Sequence, residues 1–319
     1  MTQMTPMTSS LNGNRRARGR TGTRAILLLA LLWTAAAIAP DSAGAAAISF
    51  NTALPVARGN FVWRQILFRR EGSLDRPGAK LSVDGTSAVV GYGLTPRLAL
   101  FANLSWFRER SMRLSSPAGD VERDASGPGD LDVTARYTLW QRNRPGETIR
   151  IAPFVSLKAP TGDDRESDRL GPLPRMLTPG TGSWDVALGA IGSWQTLNHQ
   201  LDLELTWRRN GRDDGFRFGR QFSVNASWQQ RILPRRPDAD SAFVYAVVES
   251  RFSDADENER SGRKIAGTGG QRWLVGPGLQ YVTRRWIVEA LVLFPAWQDT
   301  GPASPEDDFR VLAGWRINF

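Results

Sequence analysis

The carboxyl-terminal stretch Arg310–Phe319 (RVLAGWRINF) decides the fold of this chain. Counting back from Phe319, every second residue as far as Val311 is apolar, and most residues between them are polar or small. This two-residue period is typical of a β-strand with one apolar face. The sequence therefore predicts a final amphipathic strand, either in a membrane barrel or in a soluble β-sandwich.

The terminal aromatic residue favours the barrel. A last strand that alternates and ends on an aromatic is typical of chains inserted into the outer membrane of Gram-negative cells, where the barrel-assembly machinery reads such a signal. Trp315, Ile317 and Phe319 form this predicted assembly signal. A soluble sandwich has no comparable need for it.

The amino terminus predicts export. Residues 1–24 hold five arginines and no acidic residue, residues 25–39 are an apolar run, and small residues lie at Ala43 and Ala45. This order is that of a secretory signal peptide, and the apolar run is short for a spanning helix, which needs about 20 residues. We predict a cleaved signal peptide at 1–45 and one barrel domain at 46–319.

Composition excludes several function classes. The chain has no Cys and a single His, His199, which removes thiolate chemistry and most His-based metal sites and triads. The acidic run Asp254–Glu259 lacks the glycine and spacing of an EF-hand loop. Basic and acidic residues are interspersed despite the net charge of +9, so nucleic acid is not a predicted partner. We predict no enzymatic activity, catalytic residue, metal or cofactor.

Strands with one apolar face recur along the chain. In 199–208, Leu201, Leu203 and Leu205 alternate with polar residues, and tryptophans and tyrosines lie near the ends of many such segments. Aromatic belts at two lipid interfaces produce this pattern. The predicted strands lie near 60–70, 80–93, 97–106, 129–140, 147–158, 183–195, 199–208, 218–231, 241–252, 271–283, 285–295 and 307–319.

The connections between these strands alternate between short and long. The predicted long connections lie at 71–79, 107–128, 159–182, 209–217, 253–270 and 296–306. Short periplasmic turns and long extracellular loops have this arrangement in outer-membrane barrels. The fold class predicted is all-β: a closed antiparallel transmembrane β-barrel of about twelve strands.

Two motifs resemble a known family. Residues 158–163 (KAPTGD) resemble a strand that enters a K-x-P-T-G-D loop, and 180–185 (GTGSWD) resemble a G-T-G-S-x-D strand entry. Residues 91–100 resemble a strand–turn–strand near the start of the same barrel. Together these are similar to the MetA-pathway phenol-degradation family of outer-membrane β-barrel proteins, which implies a channel or transporter. The glycines and the Pro-Thr-Gly turn are also compatible with a purely structural role.

The polar faces predict a charged lumen, open or filled by ion pairs. The function predicted is passive uptake of small solutes, aromatic or hydrophobic ones included, past loop 159–182. The alternative is a structural or adhesion barrel that acts through its loops. Other expected partners are outer-membrane lipid and lipopolysaccharide. The predicted lumen and constriction residues are Lys158, Pro160, Thr161, Gly162, Asp163, Arg136, Arg150, Asp185, Glu204, Arg208, Glu249, Arg251, Glu289 and Arg316.

Overall fold

The computed structural model describes residues 45–75, 78–116, 119–234 and 242–319. The predicted signal peptide, apart from its last residue, lies outside the described residues and stays a prediction. None of the described residues forms a helix long and apolar enough to cross a membrane.

The described chain forms a closed antiparallel barrel with twelve wall strands, as predicted. Each strand pairs with the next along the wall, and the first and last pair with each other from Val62↔Asn318 to Ser73↔Glu306. The wall consists of β1 (Phe61–Ser73), β2 (Lys80–Gly93), β3 (Leu98–Ser116), a strand in three parts made of β4 (Gly119–Pro128), β5 (Leu131–Tyr137) and β6 (Trp140–Arg144), then β7 (Glu147–Ala159), β10 (Asp185–Thr196), β11 (His199–Arg209), β13 (Gln221–Leu233), β14 (Phe243–Ala255), β17 (Gly270–Val282), β18 (Trp286–Thr300) and β19 (Glu306–Asn318).

The barrel is apolar outside and polar inside. Along β11, Leu201, Leu203 and Leu205 are 42–45% exposed, whereas Asp202 is 0% and Glu204 7% exposed. A soluble fold would bury the leucines and expose the acids, so this reversed burial identifies the outer face as a lipid-facing one. The aromatic belts are also present: Trp194 and Trp228 both lie level with Leu201 near one end of the wall.

One predicted loop is a strand pair. Residues 107–128 were expected to form a long connection, but β3 continues to Ser116 and pairs with β4 as far as Ser116↔Gly119. Charged and polar residues follow one another here, as in Arg108–Ser111, so the two-residue period of the other strands is lost. Three of the other long connections hold short strands: β8 (Ser167–Asp168) pairs with β9 (Gly171–Pro172), and β15 (Glu259–Arg260) pairs with both β12 (Phe216–Arg217) and β16 (Arg263–Lys264).

The two ends of the barrel differ. At one end the turns at 94–97, 145–146, 197–198 and 283–285 are short, and Phe61 and Phe319 exchange backbone hydrogen bonds. Short turns face the periplasm in outer-membrane barrels. The long connections, including 159–182, are therefore extracellular.

We expect a charge on the lipid-facing side of β11 to destabilise the barrel. Leu203→Arg, in the middle of this strand, should lower the free energy of unfolding by about 2–4 kcal/mol, because an arginine at the bilayer midplane costs that much in such barrels. Urea titration in phospholipid vesicles, followed by tryptophan fluorescence, measures the change. Ser223→Arg, on the lumen side, is the matched control, and an equal loss in both variants would contradict the assigned faces.

Candidate functional site

The centre of the barrel is occupied by the chain itself. Residues 45–58, here called the lumen segment, precede β1 and lie inside the wall, with Ala46, Ile48 and Ala53 at most 1% exposed. The segment forms no strand of its own. Its backbone groups therefore need partners from the inner wall, since unpaired buried amides are costly.

Acidic and amide side chains of the wall bind the first half of the segment. The fully buried carboxylate of Glu249 accepts hydrogen bonds from the backbone amides of Ile48 and Ser49 and from the Ser49 hydroxyl. Gln280 pairs with Ala46 in both directions, with its Oε1 3.3 Å from the amide and its Nε2 2.6 Å from the carbonyl oxygen. These hydrogen bonds explain why the Glu249 carboxylate is stable in a fully buried position.

Arginines bind the carbonyl groups of the same segment. Arg64 donates to the carbonyl oxygens of Ala47 and Ile48, and Arg136 donates to those of Thr52 and Leu54. The wall thus holds the segment from both sides, with acids on its amides and arginines on its carbonyls.

The lumen segment divides the interior into two chambers. The periplasmic chamber has a volume of about 520 Å³ and is lined by Arg136, Arg150 and Arg316, among others. The extracellular chamber, of about 550 Å³, is lined by residues including Glu204 and Arg208. Phe50 and Asn51 line both, so the partition between the chambers is the middle of the segment.

The sequence did not indicate this partition. Residues 46–57 contain no charged residue and no clear period, so they resemble a short connector between a cleavage site and the first strand. The available signal was indirect. Charged inward positions such as Glu249 and Arg136 need partners inside the barrel, and the sequence does not show which groups supply them.

The structure places the predicted lumen residues in two groups. The wall residues face the interior, at the chambers or beneath the lumen segment: Arg136, Arg150, Glu204, Arg208, Glu249, Arg251, Glu289 and Arg316. The other group lies at the extracellular mouth: Lys158, Pro160, Thr161, Gly162, Asp163 and Asp185. Only the first group can contact a solute in the centre.

The mouth group is a buried ion cluster that anchors loop 159–182. The Lys158 ammonium lies 2.9 Å from Asp130 and 2.5 Å from Asp185, and these three side chains are 11%, 3% and 3% exposed. Asp130 also accepts hydrogen bonds from the amides of Gly162, at 3.1 Å, and Thr181, at 3.0 Å. The two motifs that carry the family resemblance therefore meet at one carboxylate.

Position 162 requires a glycine because its backbone lies in contact with two other backbone segments. A Cβ atom there would lie 2.6 Å from the carbonyl carbon of Gly129 and 2.7 Å from the Pro128 oxygen. A Cβ atom on the neighbouring Gly180 would in turn lie 2.5 Å from the carbonyl carbon of Gly162. The Pro-Thr-Gly turn thus has a packing function: it lets three backbone segments cross in contact.

Asp130 stays ionised over the physiological range. Burial by itself would raise its pKa, but Lys158 and the donors from Thr181 and Gly162 lower the pKa below 3.8. Because the folded-state pKa is depressed, the stabilising contribution is present above about pH 3.8 and is lost only as the pH falls below it. The loop anchor is therefore intact at neutral pH.

The same loop folds over one side of the mouth. Leu173 and Leu177 are 8% and 0% exposed and pack against Leu81 and Met112 on the inner face of the projecting strands. Arg110 holds the loop further by donating to the carbonyl oxygen of Met176 at 2.7 Å. The loop covers the extended β3–β4 hairpin and leaves the centre to the lumen segment.

The remaining candidates lie away from the chambers or within the wall. His199 is at a periplasmic turn, stacked with Trp194 and Trp228 at centroid distances of 6.5 and 6.4 Å. In the predicted assembly signal, Trp315 faces outward at 41% exposure, and Ile317 pairs with Trp63 and Trp286.

The acidic run 254–259 is engaged by arginines. Asp256 lies 2.7 Å from Arg220, and Glu259 pairs with Arg217 and Arg212. Across the described ranges, no group of three or more His, Asp or Glu side chains is arranged to hold a metal ion.

Two solved structures are similar to this chain, and the first of them supports the barrel architecture. The COG4313 outer membrane channel from Pseudomonas putida F1 is similar with a TM-score of 0.64 and 18% identity, over 84% of this chain and 97% of that chain. The β domain of the Bordetella autotransporter BrkA matches with a TM-score of 0.48 and 12% identity, over 82% of this chain and 100% of that chain. No curated protein sequence matches.

A closed twelve-strand antiparallel barrel with an apolar outer face and aromatic belts is an outer-membrane architecture, and the protein resides in the outer membrane of a Gram-negative cell. The family model described as "Putative MetA-pathway of phenol degradation" matches residues 78–294, which is most of the barrel. The chain therefore belongs to this family, as its K-x-P-T-G-D and G-T-G-S-x-D motifs indicate.

Proposed function

We propose that the protein is a passive outer-membrane channel for small compounds, aromatic or hydrophobic ones included. The observation that carries this proposal is the pair of chambers of about 520 and 550 Å³ that meet at Phe50 and Asn51. A barrel built only as a scaffold has no need for two cavities on one axis. The lumen segment limits the size of the solutes that pass from one chamber to the other.

The inner wall supports selection by charge. Arg64, Arg136 and Arg316 face the interior around the partition, and their fixed charges favour anionic over cationic solutes. The loop anchored by Lys158 narrows the extracellular mouth and acts before the partition. Both elements select without a chemical step, and we propose no catalytic role.

The outer face, the extracellular loops and the final strand each indicate a partner. The outer face contacts membrane lipid, and the arginine-rich extracellular loops contact lipopolysaccharide phosphates. The barrel-assembly machinery reads the final strand through Trp315, Ile317 and Phe319. The alternative function, a structural or adhesion barrel, is favoured by one observation: the lumen segment is hydrogen bonded on both sides and closes the centre.

Planar-bilayer recording of the refolded mature protein separates the two functions. We expect a small, steady single-channel conductance with a preference for anions, and a modest increase when residues 164–179 are replaced by a short glycine–serine linker. Correct folding is established beforehand by heat-modifiable mobility on gels. A folded barrel that conducts in neither form would overturn the channel proposal and leave the loop-mediated role.

A further inference from the structure

The periplasmic chamber has an excess of positive charge. Arg64, Arg136, Arg150 and Arg316 line it, and no acidic residue among the described ones does so. Glu289 pairs with two of them, at 2.6 Å from Arg64 and 3.6 Å from Arg316. Neither Arg136 nor Arg150 forms an ion pair with any residue in the described part of the chain.

Two of these arginines have unsatisfied donors. The Nε atoms of Arg150 and Arg316 are buried and have no hydrogen-bond acceptor in the described part of the chain. Arg150 has no ion-pair partner there either. A buried guanidinium N–H without an acceptor carries a desolvation cost that a bound anion would offset. Both residues line the chamber, and a few polar groups in an otherwise apolar cavity are typical of a ligand site.

A third arginine is held in place next to them. Arg136 donates to the carbonyl oxygens of Thr52 and Leu54 and lies over the Phe101 ring at 4.6 Å. Arg136 and Arg316 line the same chamber. The fixed position of Arg136 lowers the entropy cost of binding an anion there.

Aromatic side chains complete the chamber. Phe50, Phe101, Phe243 and Tyr245 line the same cavity as the arginines. A volume of about 520 Å³ is within the range of pockets for small organic molecules, which combine apolar walls with a few polar groups. An inorganic anion would leave these aromatic faces without a partner.

We propose that the periplasmic chamber is a binding site for a small aromatic carboxylate. The carboxylate accepts hydrogen bonds from Arg150 and Arg316, and the ring packs against Phe243 and Tyr245. This inference rests on the proposed channel function and names its substrate class. Binding at the periplasmic side of the partition would hold the solute after it passes Phe50.

Equilibrium binding of 4-fluorobenzoate to the refolded mature barrel in zwitterionic micelles tests the site. Fluorine NMR should show saturable binding to the wild-type protein, and Arg150→Gln should weaken the affinity by roughly tenfold or more, because hydrogen bonds to charged groups are worth about 1.5–3 kcal/mol. Arg97→Gln, which removes the same charge from an exposed periplasmic turn, should bind like the wild type.

Two competitions on the wild-type barrel need no variant. The neutral 4-fluorobenzamide should bind at least about tenfold more weakly than the carboxylate, and inorganic phosphate should not displace the carboxylate at equal concentration. Equal binding of the amide, displacement by phosphate, or an Arg97→Gln loss as large as that of Arg150→Gln would each overturn the inference. Binding without conductance would overturn the channel function alone, and conductance without saturable binding would overturn this site alone.

Discussion

Removal of the lumen segment should raise the single-channel conductance several-fold. A mature chain that begins at Ala57 keeps every wall strand but loses Phe50 and Asn51, which separate the two chambers. The chambers would then join into one water-filled path, because no other described segment crosses the axis between them. Planar-bilayer recording of the refolded variant beside the full mature chain measures the change.

A loop variant serves as the control for this truncation. Replacing residues 164–179 with a short linker removes a comparable number of residues from the mouth and leaves the partition in place. Its conductance should rise less than that of the truncated chain. If the truncated barrel is folded yet conducts as the full chain does, the narrowest point lies elsewhere and the lumen segment is only a lining.

The second large effect is expected at Lys158. Substitution by Met leaves Asp130 and Asp185 facing each other, each 3% exposed, without their shared cation. Breaking a buried ion cluster by removing one partner costs about 3–5 kcal/mol, so the free energy of unfolding should fall by that amount. Urea titration in vesicles measures it, and trypsin cleavage within loop 159–182 should become faster because the loop loses the hydrogen bond from Lys158 to Thr181.

Arg113→Met provides the matched comparison. Arg113 pairs with Glu122 at 2.9 Å on the projecting hairpin, but both side chains are about half exposed. Exposed pairs contribute little to stability, so this variant should unfold as the wild type does. Similar losses in both variants would show that burial does not distinguish the mouth cluster from a surface pair.

The wall of the barrel was predictable from sequence because lipid enforces a strict period. Leu201 to Trp207 must alternate, since every other residue contacts hydrocarbon, and the same holds for the final strand. All twelve predicted strands are present. The hairpin at 107–128 was missed because, beyond the lipid, charged residues such as Arg110 and Glu122 are compatible with either a strand or a loop.

The interior was only partly predictable because an inward position does not determine its partner. In the structure, Glu249 and Arg136 are both buried inside the barrel wall. Their partners, however, are backbone groups of residues 48–54. Almost every residue type carries the same backbone amide and carbonyl groups, so the sequence does not show which of them accept or donate these hydrogen bonds. The mouth motif was predicted as a candidate constriction, and whether its residues select solutes stays a proposal.

The lumen segment also ties distant parts of the barrel wall together. The segment leads directly into β1, and β1 closes the wall by pairing with β19, more than 200 residues away in the chain. The same segment is hydrogen bonded to Glu249 of β14 and to Ser193 of β10, which are not neighbours of β1 in the wall. The seam between the first and last strands is thus braced through the centre of the barrel as well as along its wall.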